Sequence, residues 1–124
     1  MSGDDLGFHP KFAKAAKWSL KKLERHHEEE ATLKAVAEST LANLQRHLNT
    51  KLEAFSALIG TPIDADGVAA AMSEVQENVH IAELMVLEGQ IVTATSDVLR
   101  ATQRLEEHVR TCDFLLDLVK QKSL

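Results

Sequence analysis

Apolar residues in the second half of the chain recur in steps of three and four. Leu84, Leu87, Ile91, Ala94, Val98, Ala101, Leu105, His108, Cys112, Leu115 and Val119 make a stripe five heptads long with one polar interruption. That is the period of an amphipathic helix burying one face. Val68, Met72, Val75, Val79, Ala82 and Val86 form an earlier stripe, offset from the later one, so the register slips near residues 82–91. In the first half, Leu41, Leu44, Leu48, Leu52, Phe55 and Ile59 form one helical stripe, and Phe12, Ala16, Leu20 and Leu23 another.

Glycine and proline punctuate this pattern at few places. The 49 residues from Lys11 to Ile59 contain neither, and from Val68 onward only Gly89 interrupts. Between them stands Gly60-Thr61-Pro62-Ile63-Asp64-Ala65-Asp66-Gly67. The expectation is an all-α, long antiparallel helical hairpin: helix over 10–59, turn over 60–66, helix over 67–121. Pro10 suits the first helical position, where a missing N–H costs nothing, and a helix from there to Ile59 would be about 70 Å long. Gly60 suits the position just past the helix end. Thr61 can cap the second helix with Pro62 at its first position and Asp64 at its third, or Asp64 or Asp66 can be the cap. Gly89, beside the weakly helical run Thr93-Ala94-Thr95-Ser96, allows a kink or break near 89–96, with Ser96 or Asp97 capping a third helix. Residues 1–9 read as a flexible acidic leader, and 10–124 as a single helical-hairpin coiled-coil domain.

A second apolar set flanks the heptad seam, with Met85, Val92 and Leu99 on one side and Val109 and Leu116 on the other. A two-helix seam needs only a narrow stripe, whereas this face is wide enough for two neighbours. The surplus predicts that two hairpins pair into a four-helix bundle, as a homodimer by preference or a hetero-oligomer, or else that the long helices break and fold back into one.

Charge adds polarity to this picture. The net charge is −5, too acidic for a dedicated nucleic-acid binder. Residues 10–27 nevertheless carry Lys11, Lys14, Lys17, Lys21, Lys22 and Arg25 against Glu24 alone. From Leu52 to Leu99 there is no Lys or Arg but eight acidic residues. A hairpin would then have a basic open end and an acidic tip, an arrangement that favours antiparallel association weakened by high salt.

On a helical wheel Phe12, Ala16, Leu20, Leu23 and His27 share a face, and Trp18 falls on the other among Lys14, Lys21, Lys22 and Arg25. An indole there can anchor a protein partner, stack on a base or sit at a membrane interface. It can equally pack on a second helix with lysine stems over its edges.

The residues of known chemistries are sparse. Aromatics are 4% of the chain, fewer than nucleotide or sugar clefts usually carry. One cysteine, Cys112, excludes an intramolecular disulfide and a Cys-based zinc cage. Glu24-Arg-His-His27 and Glu77-Asn-Val-His80 have the Glu-x-x-His spacing of di-iron bundles. A turn near residue 62 puts residue 24 level with about 100 and residue 77 with about 47, so those two motifs do not meet within one hairpin. His47, Glu77 and His80 fall near one level and are remote metal candidates, more simply a polar layer fixing register. His108 and Cys112 on the seam read as core residues. His47-Leu-Asn-Thr-Lys-Leu52 lacks both the acidic neighbour and the proline of the sensor-kinase phosphoacceptor box, leaving histidine phosphorelay remote. No phosphate-cradling glycine loop or nucleophile elbow is present.

The functional expectation is a non-enzymatic protein–protein interaction module: an adaptor, scaffold or assembly subunit without cofactor. Its contacts would centre on Trp18, Lys14, Lys21, Lys22 and Arg25, and on Met85, Val92 and Leu99. The alternatives are a chaperone for a secreted or aggregation-prone helical client, and lipid or granule surface association through segment 10–27. The N-terminus carries no apolar h-region and no apolar run reaches the roughly 18 residues of a membrane span, so a cytoplasmic location is expected, with peripheral membrane contact left open.

Overall fold

A computed structural model describes residues 10–124; the leader expected over 1–9 lies outside the described residues. Among the described residues are three α-helices and no strand: α1 (Leu20–Ile59), α2 (Val68–Glu74) and α3 (Ile81–Ser123). They form the expected all-α helical hairpin, with α1 and α3 packed against each other. No helix is long and apolar enough to cross a membrane.

The elements differ from expectation in two places and decide one open choice of cap, each for a local reason. First, α1 begins at Leu20 and not at Pro10. Pro10–Phe12 and Ala15–Lys17 are single 3₁₀ turns, and Trp18 is extended at φ −74° and ψ 154°. Ser19 caps the helix: its Oγ accepts the Lys22 N–H at 3.2 Å, and its carbonyl accepts the Leu23 N–H at 3.0 Å. Serine is far better placed as a cap than inside a helix. The turns before it bury Phe12 and Ala15, with Ala16 left exposed.

Second, the cap after the turn is Asp64, whose Oδ1 accepts the Gly67 N–H at 2.9 Å. Gly60, at φ +77°, ends α1 in the left-handed conformation that glycine adopts without a Cβ penalty. The N–H groups of Gly60 and Thr61 both reach the Ser56 carbonyl, at 2.8 and 3.3 Å. The Ser56 hydroxyl accepts the Ile63 N–H at 3.1 Å, so one residue ties down three donors of the turn.

Third, the second helix breaks at residues 75–80, not near 89–96. Asn78 makes the break: its Oδ1 accepts the His80 N–H at 2.7 Å and its carbonyl accepts the Ile81 N–H at 3.0 Å. A short side chain has replaced helical hydrogen bonds with a turn. From Ile81 the helix then continues through Gly89 and Thr93–Ser96. The register slip in the sequence is thus a reset after the break. Of the earlier stripe, Val68 and Met72 are buried and Val75 half-buried, while Val79, Ala82 and Val86 are exposed. All eleven positions of the later stripe are buried or half-buried.

The chain divides into two compact units. In Leu41–Arg100 the core is Phe55, Val68, Ala71, Met72, Leu84 and Ile91, with Leu48 and Leu52 packed against it; α2 closes over the ends of its longer neighbours. In the other unit, the segment ending at Thr40 together with Ala101–Leu124, the core is Phe12, Ala15, Leu23, Leu115 and Leu118.

Candidate interaction surface

The unit Leu41–Arg100 presents an apolar face that its own core does not use. On α3, the side turned to Phe55 holds Leu84, Ile91 and Ala94. A different side carries Met85, Val92 and Leu99, which remain 61%, 61% and 58% exposed. Their spacing of seven places them in one row along the helix. Ala82, Gly89 and Ser96, also exposed, fall three residues before each of them and form a parallel row of small residues. Sequence periodicity picked out the large row; the small row passed unnoticed because alanine, glycine and serine add little to an apolar pattern. Val109 and Leu116, the opposite flank, are half-buried.

Beside this face lies a shallow apolar groove bounded by Ala54 and Leu58 of α1 and Ala82, Glu83, Val86 and Leu87 of α3. Val86 is 60% exposed. Surrounding charge is acidic, since Glu53, Asp64, Asp66, Glu74, Glu77, Glu83, Glu88 and Asp97 all belong to this unit and no basic residue lies between Lys51 and Arg100. Arg100 pairs with Asp97 on its own helix at 2.6 Å.

The basic segment is arranged differently from a single amphipathic helix, because the α-helix starts only after Ser19. Trp18 therefore does not face away from the core. It is half-buried, with its ring 4.7 Å from that of His26 and 6.0 Å from that of Phe12. Lys22 places its Nζ 4.4 Å from the indole centroid, a cation–π contact. Packing under lysine is thus what the indole does here, while Lys14, Lys21, Lys22 and Arg25 remain exposed around it.

Glu30, which sequence reasoning missed, is 7% exposed and places Oε1 2.6 Å from Nδ1 of His108. It lies seven residues after Leu23 and seven before Ala37, so heptad spacing would have found it. Together with Lys11, Phe12, Leu33, Glu107 and Thr111 the pair lines a small recess of the unit that contains Ala101–Leu124. Burial, reinforced by the Glu30 and Asp113 carboxylates and opposed by Lys34, pushes the Cys112 thiol above its usual value.

The metal candidates are not assembled. His47 lines a groove with Lys51, Gly89, Gln90 and Thr93, whereas His80 stands 3.8 Å from Glu83 at the start of α3. Among the described residues no group of three or more His, Cys, Asp or Glu is placed to hold a metal ion. The cause is register. The Glu30–His108 pair shows that levels match about fourteen residues later in α3 than a simple turn near 62 implies, about 21 Å of helix. The connecting residues 60–80 take up that length. Comparison of the chain with protein-family models, with curated proteins and with solved structures gives no match.

Proposed function

We propose that this chain is a non-enzymatic protein–protein interaction module, an adaptor, scaffold or assembly subunit acting by helix-on-helix packing. The observation that carries this reading is the exposed row Met85, Val92 and Leu99 on a helix whose other face is already packed. Each of these side chains still offers about 1–2 kcal/mol of burial to a partner helix, taking its exposed fraction of the 1.5–3 kcal/mol for full burial. Isolated exposed apolar residues are ordinary, but a regular row has the form that helix-in-groove recognition uses. The acidic residues around the row favour a partner whose own facing row is uncharged or basic.

A photo-reactive residue introduced at position 92, compared with one at exposed Gln90, tests this in the native cell extract. Discrete adducts are expected from position 92 and not from 90. The absence of any adduct from 92, with the fold intact by circular dichroism, would sink the reading.

A further inference from the structure

We propose that a second copy of this chain docks on the exposed face of α3 in antiparallel orientation, with Gly89 of each copy facing Val92 of the other. The proposal rests on the reading of that face as an interaction surface and names its occupant.

The starting observation is an unexplained glycine. Gly89 sits inside α3 and does not have a positive φ, which among the described glycines belongs to Gly60 alone. A Cβ added at Gly89 would meet nothing within 4 Å. Glycine weakens a helix interior, and nothing in the chain's own packing requires it there. It leaves a gap beside Met85 and Val92 that opens on its other side to the groove shared with His47 and Lys51 of α1.

The row around it is self-complementary. Ala82, Met85, Gly89, Val92, Ser96 and Leu99 alternate small and large in steps of three and four, the spacing of a coiled-coil seam, and none is charged. Reversing a second α3 over the first so that Gly89 is level with Val92 also brings Ala82 level with Leu99 and Ser96 level with Met85. The two-fold axis repeats each pairing, so every large side chain meets a small one, as an isologous interface requires. A shift of one heptad in either direction leaves two of the six positions unmatched. A parallel pair in register sets large on large and small on small.

The size of the seam sets the strength. From Ala82 to Leu99 it runs about 26 Å, and at a helix width of about 10 Å it covers on the order of 300 Å² per copy. A standard stable interface buries about 800 Å² per partner. The dimer is therefore weak and concentration-dependent. The seam itself is uncharged, Asp97 beside it is paired with Arg100, and Lys51 lines the groove next to Gly89, so salt does not loosen this dimer, unlike pairing between basic and acidic ends.

Sedimentation equilibrium from about 10 µM to about 1 mM, the range of weak association, is the test. The wild-type mass should climb from one chain towards two, and no less at about 1 M salt than at about 50 mM. Gly89→Leu fills the hole and should weaken the dimer at least tenfold while the thermal midpoint holds or rises, because leucine is the better helix former. Val92→Glu should do the same to the dimer. A monomer throughout, a dimer indifferent to Gly89→Leu, or one loosened by salt would overturn the proposal. The photo-adducts from position 92 separate the two claims: twice the chain mass supports self-docking, another mass overturns it while the surface reading stands, and no adduct removes both.

Discussion

Glu30 and His108 meet across α1 and α3, carboxylate oxygen to Nδ1 at 2.6 Å, with Glu30 7% exposed. Two polar groups set into an apolar seam make one another tolerable, and they hold the helices at one level. Removing His108 leaves Glu30 buried without its hydrogen bond, at a cost of about 1–3 kcal/mol, whereas removing Glu30 leaves His108, 27% exposed, able to reach water, so its cost lies at the low end of that range. Glu30→Ala and His108→Ala should each lower the urea midpoint accordingly. The double change Glu30→Leu with His108→Leu should recover most of the loss. A double variant as weak as the sum of the singles would mean that the two groups are not coupled and do not act as a pair.

The connection between the long helices depends on two residues. Gly60 holds φ +77°, so Gly60→Ala should cost about 1 kcal/mol or more. Asn78→Ala removes the acceptor of the His80 N–H and should cost about 1 kcal/mol, as loss of a cap does. For a chain of this size each corresponds to a fall of about 4 °C in thermal midpoint. An unchanged midpoint for Asn78→Ala would mean that residues 75–80 break the helix without its help.

At Gly89 the sign reverses. Since a Cβ there meets nothing within 4 Å, Gly89→Ala should stabilise the fold by about 0.5–1 kcal/mol. Denaturant unfolding at low protein concentration measures it, and a loss of stability would reveal a local constraint on this glycine.

Cys112 should be slow to alkylate. Its thiol is shifted upward from 9.0, chiefly by burial, so little thiolate exists near neutrality. The sign for stability follows: the protonated thiol is the form favoured by folding, its contribution is full below pH 9, and it is lost as pH rises through the higher folded value. Cys112→Ala should therefore flatten the alkaline fall in stability. Labelling as fast in the native protein as in urea would contradict the burial.

Trp18 is the sole tryptophan and reports on the core of Phe12, Leu23 and Leu115. Its emission should lie to the blue of free indole and move to the red when Phe12→Ala opens the cluster that holds the two rings 6.0 Å apart. That truncation of a residue 2% exposed should cost about 3–5 kcal/mol. Emission already at the solvent-exposed wavelength in the wild type would contradict the packed indole.

Much of this architecture was legible in the residues themselves. Eleven seam positions from Leu84 to Val119, the long stretch free of glycine and proline, and Gly60 at the turn determine an antiparallel hairpin, because helical period and backbone freedom are local properties. Of the caps, Asp64 was legible as one alternative among several, and Ser96 and Asp97, equally suited, lie mid-helix; Ser19 and Asn78 have the same chemistry but nothing in the periodic pattern singled them out. Tertiary packing chose among them by where Phe12, Met72 and Leu84 could be buried. It also decided register. The length of chain taken up between Gly60 and Ile81 places Glu30 beside His108 and separates His47 from His80, and no periodic pattern encodes that length. Periodicity determines which face of each helix is apolar; only the folded connection decides which residues of the two faces meet.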